Sequence, residues 1–130
     1  MSDVKVRPQR VQVLQNFLKL VQAHPDIQLY TARENNPPMP YLRAYELDFQ
    51  DTWTKTTEGS EIRLVFACYS EHRGFLETID LREALNECLA KLYKTDSRVI
   101  MAHMAFSPTR DVQRPDVKQG FFTVHIKCMY

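Results

Sequence analysis

The sequence predicts an α+β domain in which two helices pack on one face of an antiparallel four-stranded sheet made of two hairpins. Two segments carry apolar residues at helical spacing, and each is followed by two segments that alternate in the manner of strands. The predicted order is therefore α-β-β-α-β-β. The chain of 130 residues is long enough for one hydrophobic core and too short for two, so we expect a single domain over residues 1–130.

The first helix is predicted over residues 9–23. Its apolar residues recur at a 3.6-residue period and form one broad stripe: Val11, Leu14, Phe17, Leu18 and Val21, widened by Val13 and Leu20. Pro8 lies where a first helical turn tolerates proline, and the residue before Pro25 disfavours the helical conformation. A short segment at 27–30 and a proline-containing loop at 31–40 follow.

The first predicted hairpin joins strands at 41–49 and 61–69 through a polar connection at 50–60. The second of these strands alternates most clearly. Its core-facing residues are Ile62, Leu64, Phe66 and Cys68.

The second helix is predicted over residues 75–93. Its core stripe consists of Leu81, Ala84, Leu85, Cys88, Leu89 and Leu92. Two starts are open, because Gly74 could open the helix or Asp80 could cap it. With the earlier start, Phe75 and Ile79 lie opposite the stripe and form an apolar patch that needs another partner.

The last predicted hairpin pairs strands at 98–106 and 121–129. The core face of its second strand carries Phe122, Val124, Ile126 and Cys128. Residues 107–120 between them are predicted to form a long loop, since they contain two prolines. Loops of more than about 12 residues in a compact domain are usually functional or disordered.

Composition and charge narrow the functional classes. The net charge of +1 argues against a dedicated duplex-binding protein, which needs clustered Lys and Arg to neutralise phosphates. Three cysteines, an odd number, are typical of a reducing compartment. The first residues lack the apolar core of a signal peptide, and no apolar run is long enough to span a bilayer. We therefore expect a protein that is made and kept in a cytoplasm and does not contact membranes.

The cysteines and histidines do not predict a reactive or metal-binding site. Cys68, Cys88 and Cys128 all fall on predicted core faces, where a free cysteine acts as a small hydrophobic residue. His103 and His125 become cross-strand neighbours if the last two strands pair, but two ligands are too few for a zinc site.

The remaining catalytic signatures are also missing from the sequence. The carboxylate pairs Glu58/Glu61 and Asp111/Asp116 fall in polar turns, where they are expected to be solvated. There is no nucleophile motif and no glycine-rich phosphate-binding loop. We therefore expect a protein that is not an enzyme and takes no cofactor or metal.

Two polar segments are candidates for partner contact. Trp53 is the only tryptophan and lies in the polar turn beside Lys55. Loop tryptophans often anchor interfaces, although one folded back over the hairpin edge is equally consistent. The loop with Arg110, Arg114 and Lys118 could contact nucleic acid, but it carries interleaved aspartates and no aromatic residue for base stacking. A protein contact or a solvated loop is the favoured interpretation.

The stretch from Trp53 to Gly74 resembles the tail-completion family of long-tailed bacteriophages, also called tail terminators or head–tail joining proteins. Its pattern is a polar turn, an alternating strand, a Tyr-Ser pair and an Arg-Gly entry to an Ala/Leu-rich helix. The matching residues are Thr54, Lys55, Thr56, Thr57, Gly59, Glu61, Tyr69, Ser70, Arg73 and Gly74, followed by Glu83, Ala84, Leu85 and Leu89. Pro40-Tyr41 at the start of a strand also fits, whereas Pro108 and Pro115 stand where the family has a Gly-rich segment.

The resemblance implies a structural role in the virion. Members form a ring, usually hexameric, at the head-proximal end of the tail, where they end tail-tube polymerisation and dock onto the head connector. The expected partners are further copies of the chain, the tail-tube protein and the connector; the subunit could be a monomer in solution. DNA would pass through the ring without specific binding, and assembly would take place in the cytoplasm of a bacterial host.

The family has no catalytic residues to carry over. The residues that we expect to bind partners lie in the polar turn and the last loop: Trp53, Lys55, Thr56, Glu58, Arg110, Arg114 and Lys118. Two alternatives stay open: a head-side connector or completion protein, and a small α+β nucleic-acid-binding domain that uses Arg110, Arg114 and Lys118.

Overall fold

The computed structural model describes residues 8–30, 39–52, 58–71, 75–110 and 117–130, with the backbone alone at 71, 75, 109, 110, 117 and 118. The elements follow in the order α1 (Gln9–Ala23), β1 (Leu29–Tyr30), β2 (Tyr41–Asp51), β3 (Gly59–Glu71), α2 (Phe75–Thr95), β4 (Val99–Arg110) and β5 (Val117–Met129). The five strands form one sheet in the spatial order β1-β2-β3-β5-β4.

The prediction of an antiparallel four-stranded sheet was wrong, because a fifth strand joins the sheet in parallel orientation. In β1, Leu29 lies opposite Leu42 and Tyr30 lies opposite Arg43. The element order is therefore α-β-β-β-α-β-β and the sheet is mixed. A two-residue strand is too short for the alternation that identifies strands in a sequence. Its place is fixed instead by the burial of Ile27 in the core, which holds the segment at the sheet edge.

The other strand pairs are antiparallel. β2 pairs with β3, β4 pairs with β5, and β3 pairs with β5 along its whole length in the middle of the sheet. β2 is interrupted by a bulge at Tyr45 and β4 by a bulge at Ile100. The predicted loop at 107–120 was too long, because the β4–β5 ladder continues to the pair Arg110 and Lys118. Pro108 is accommodated because β4 is an edge strand.

Both helices lie on the same face of the sheet and bury it. The core consists of one stripe from each helix and alternate residues of the central strands, including Val13, Phe17, Val21, Leu81, Leu85, Leu92, Ile62, Phe66, Phe122, Val124 and Ile126. The Phe17 and Phe66 rings lie 6.4 Å apart between centroids. The Cys88 thiol donates a hydrogen bond to the Leu20 carbonyl at 3.6 Å and so joins the two helices. Helix α2 starts at Phe75, which is consistent with the earlier of the two predicted starts.

A buried ion pair fixes the turn between α2 and β4 to the first helix. The Asp96 carboxylate is 6% exposed and accepts hydrogen bonds from the Arg98 guanidinium, both at 2.9 Å. Asn16 of α1 donates to the same carboxylate at 3.2 Å, and Arg98 donates to Gln12 at 2.9 Å. The Arg98 hydrogen bonds outweigh desolvation and lower the pKa of Asp96 below its ordinary value of 3.8.

The central core position is expected to dominate stability. Phe66→Ala should reduce the free energy of unfolding by about 3–5 kcal/mol, because Phe66 is fully buried and the substitution leaves a cavity. The matched control is Phe121→Ala on the other face of the same sheet, where the half-buried ring is removed without a closed cavity. Urea denaturation of both variants measures the difference. An equal loss for the two would contradict the one-sided core.

The Asp96 ion pair is expected to make stability dependent on acid pH. A carboxyl whose pKa is lowered by folding stabilises the protein above its ordinary pKa of 3.8, and this contribution disappears as the pH falls through the folded pKa. Asp96→Asn should therefore cost about 1.5–3 kcal/mol at pH 7 and progressively less below pH 4. Denaturation curves across this range test the prediction, and a cost that does not change with pH would refute it.

Candidate partner-binding surface

The face of the sheet that points away from the helices, called here the outer face, is the sheet surface that the described helices leave uncovered. Strand alternation puts every second residue of the sheet on this side. On β3 these residues are Arg63, Val65, Ala67 and Tyr69, whereas the residues between them lie in the core. In the part of the chain that the structure describes, both helices pack on the opposite side.

A row of aromatic side chains crosses one half of the outer face. We call it the aromatic row; it consists of Tyr30, Tyr41, Tyr69, Tyr45 and Phe121. The Tyr41 ring stacks on Tyr69 with centroids 4.8 Å apart and meets Tyr30 edge to face at 5.6 Å. Such contacts stabilise each ring pair by about 0.5–1.5 kcal/mol beyond area burial. Tyr69 also accepts a hydrogen bond from the Gln119 amide at 3.2 Å.

The second part of the row closes over the central strand. Tyr45 comes from the bulge of β2 and Phe121 from β5, so their side chains reach each other across β3, with centroids 5.1 Å apart. Val65 and Ala67 of β3 are only 4% and 1% exposed, although no described helix covers this face. Tyr45 itself remains 61% exposed. The result is a packed and partly exposed aromatic surface on the sheet.

Arg43 adds a cation to the aromatic row. Its guanidinium carbon lies 5.7 Å from the centroid of the Tyr41 ring, within the range of a cation–π interaction. The Arg43 Nε is buried and has no hydrogen-bond partner among the described residues. Arginine and tyrosine are, with tryptophan, the residue types enriched at binding hot spots.

The other half of the outer face is polar, and some of its side chains contact each other within the subunit. Arg63 lies 3.2 Å from the Glu46 carboxylate, and His125 lies 3.7 Å from the Glu61 carboxylate. The prediction that His103 and His125 become cross-strand neighbours is confirmed, with their rings stacked at 4.8 Å. Among the described residues, no cluster of three or more His, Cys, Asp or Glu side chains is arranged to hold a metal ion.

The three cysteines lie in the core, as predicted, and their environment suppresses thiolate formation. Burial raises the pKa of Cys68 to about 12 and that of Cys128 to about 11, and it also raises the pKa of Cys88. A nucleophilic cysteine needs the opposite shift, produced by a neighbouring cation or a helix N-terminus. These thiols therefore serve packing.

Only some of the seven residues predicted to bind partners lie within the described part of the chain. Trp53, Lys55, Thr56 and Arg114 lie outside the described residues. Glu58 is exposed directly before β3, and its carbonyl accepts a hydrogen bond from the Tyr130 amide at 2.9 Å.

The backbones of Arg110 and Lys118 are brought together as the last described pair of the β4–β5 ladder. A binding role for any of these seven residues stays a prediction.

Sequence reasoning missed the aromatic row. Its tyrosines are visible in the sequence as strand-forming residues, but their grouping depends on strand register. Tyr45 and Phe121 are far apart in the chain, and only the bulge in β2 together with the β3–β5 pairing brings them into contact.

Comparison with known proteins identifies the fold. No protein-family model matches the sequence, and no curated protein matches it either. Among solved structures, the chain is similar to a protein chain from the virion of a native gene transfer agent (GTA) particle, with a TM-score of 0.59 and 19% sequence identity. The match covers 91% of this chain and 92% of that chain. The two chains share a fold.

No described helix is both long and apolar enough to cross a membrane.

The buried cysteines are expected to be unreactive in the folded protein. At pH 8, close to the ordinary thiol pKa of about 8.5, a maleimide should label none of the three cysteines within minutes and all three after unfolding in denaturant. Mass spectrometry counts the labels. Rapid labelling of Cys68, Cys88 or Cys128 in the native protein would contradict their assignment to packing.

Proposed function

We propose that this protein is a structural subunit of a phage-like virion, and specifically a tail-completion protein. In this proposal, copies of the chain form a ring at the head-proximal end of the tail, end tail-tube polymerisation and join the tail to the head connector. The protein acts by binding and assembly, without turnover.

The observation that carries this proposal is the fold shared with a chain of a gene transfer agent virion over more than nine-tenths of both chains. A fold alone does not determine function, because functional sites are added to folds in many ways. The proposal gains its specificity from the Thr54–Gly74 pattern, which resembles the tail-completion family in sequence.

The outer face supports an assembly role. Protein interfaces are enriched in tyrosine and arginine at their centre and carry polar residues at their rim. The aromatic row with Arg43 meets the first condition, and the polar side chains around Arg63 and His125 meet the second. Because those rings already pack on each other, little side-chain entropy is lost when a partner covers them.

Single-stranded nucleic-acid binding is the second candidate, because exposed aromatic rings on a sheet face can stack bases. Two observations count against it. Tyr41 and Tyr69 are stacked on each other, which leaves each ring with at most one free face. The arginine of the polar half, Arg63, is neutralised by Glu46. Salt-sensitive binding of a single-stranded oligonucleotide that is lost with Tyr69→Ala would favour this candidate.

The tail-completion role predicts a defined phenotype. Deletion of the gene from the particle that encodes it should yield filled heads and separate tails of abnormal length, because nothing ends the tube. A head-side connector protein would instead give unjoined tails of normal length. Negative-stain electron microscopy of lysates distinguishes these outcomes, and normal joined particles would overturn the proposal.

The aromatic row is expected to contribute directly to joining. Tyr45→Ser should keep the fold, since Tyr45 is 61% exposed, but should lower the yield of joined particles on complementation. Loss of a hot-spot side chain costs about 2 kcal/mol or more, equivalent to roughly 30-fold weaker binding.

The matched control is Lys19→Ser, which removes an exposed side chain from α1 on the opposite side of the sheet. It should complement fully. Equal defects in the two variants would show that the outer face has no special role.

A further inference from the structure

We propose that copies of this chain join head to tail through the two edges of their sheets, with β4 of one copy pairing with residues 44–51 of β2 in the next. This inference deepens the proposed ring-forming role and rests on it for its biological setting. The partner is a second copy of the chain, and the contact is a continuation of the sheet.

Both edges of the sheet carry backbone that no described strand pairs with. Among the described strands, β4 pairs with β5 alone, so the other side of Val99–Arg110 faces away from the described sheet. At the other edge, β1 pairs only with Leu42 and Arg43. Residues 44–51 of β2 therefore have no described strand on their outward side. Exposed edge strands of this length are templates for pairing with another chain.

The two edges match in length and regularity. The β2 edge is regular after its bulge at Tyr45, over residues 46–51. The β4 edge is regular between its bulge at Ile100 and Pro108, over residues 101–107. The bulges and the proline limit uncontrolled growth of the sheet and leave one straight stretch on each side.

Apolar side chains extend to both edges on the helix side. Leu47 is 47% exposed on β2, and the neighbouring Phe49 is only partly buried. On β4, Met104 and Phe106 pack against the core while remaining partly exposed. Head-to-tail pairing would place the partly exposed apolar side chains of one β2 edge beside those of the next copy's β4 edge. This contact would bury apolar surface that neither copy can bury alone.

The charges disfavour the pairing of two β2 edges with each other. Residues 46–51 contain Glu46, Asp48 and Asp51 and no Lys or Arg, whereas β4 contains no carboxylate and ends in Arg110. Pairing two β2 edges would therefore set carboxylates against carboxylates, which is unfavourable between adjacent strands. Glu46 and Asp51 are already ion-paired with Arg63 and Arg10 within the subunit. The carboxylates of β2 therefore act mainly against pairing with a second β2 edge and add little attraction toward β4.

Cross-linking of the full chain tests this pairing. Gln50→Cys places a thiol on the β2 edge and Ala105→Cys places one on β4, both at exposed positions on the outer face. The native thiols are buried, so they contribute little background. With a short bismaleimide at high protein concentration, the double variant should give a ladder of dimers, trimers and larger products. Each single variant should give no ladder.

A control double variant separates specific pairing from random collision. It combines Gln50→Cys with Lys19→Cys, which is exposed on α1 away from both edges. A ladder no stronger than that of the control would overturn the inference. Efficient dimers from Ala105→Cys alone would also overturn it, because they indicate pairing of β4 with itself.

The gene-deletion phenotype and the cross-linking ladder together distinguish failure of the edge pairing from failure of the tail-completion role. Unjoined heads and abnormal tails on gene deletion, together with an absent ladder, would reject only the edge pairing. A specific ladder together with normal particles after gene deletion would retain head-to-tail pairing and reject the tail-completion role.

Discussion

Burial of one face of the β3–β5 pair beneath both helices is the constraint on which the rest of this structure depends. Phe66 and Phe122 are fully buried on that face, and stripes from α1 and α2 close over them. Because side chains alternate along a strand, the same residues that fix the core also fix which side chains point outward. The Asp96–Arg98 pair then attaches the α2–β4 turn to α1, so the helices and the sheet form one body.

This arrangement leaves the outer face and two sheet edges as surfaces of the described part of the chain. The outer face holds an aromatic row whose rings pack on each other, and Arg63 in its polar half is ion-paired with Glu46. The buried thiols have raised pKa values and are poor nucleophiles. Each sheet edge offers a different surface, and two unlike surfaces on one subunit permit head-to-tail association into a closed ring.

The sequence was informative where local signals and burial coincide. Helix α1 was predicted at 9–23 and spans Gln9–Ala23, because prolines flank an apolar stripe that the sheet does bury. The glycine of the polar-turn motif also has a local reason: a Cβ at Gly59 would lie 2.6 Å from the Cys128 carbonyl oxygen. β1 and the aromatic row were not predictable, since Ile27 is placed by tertiary burial and Tyr45 meets Phe121 only through strand register.

The most direct test of this account is a cryo-electron microscopy map of the assembled particle that encodes this chain. The account predicts density for the chain as a ring between the tail tube and the head, with β4 of each copy beside β2 of its neighbour and the outer face in contact with protein. Density for the chain elsewhere in the particle, or a ring at the neck whose contacts involve only the helices, would contradict it.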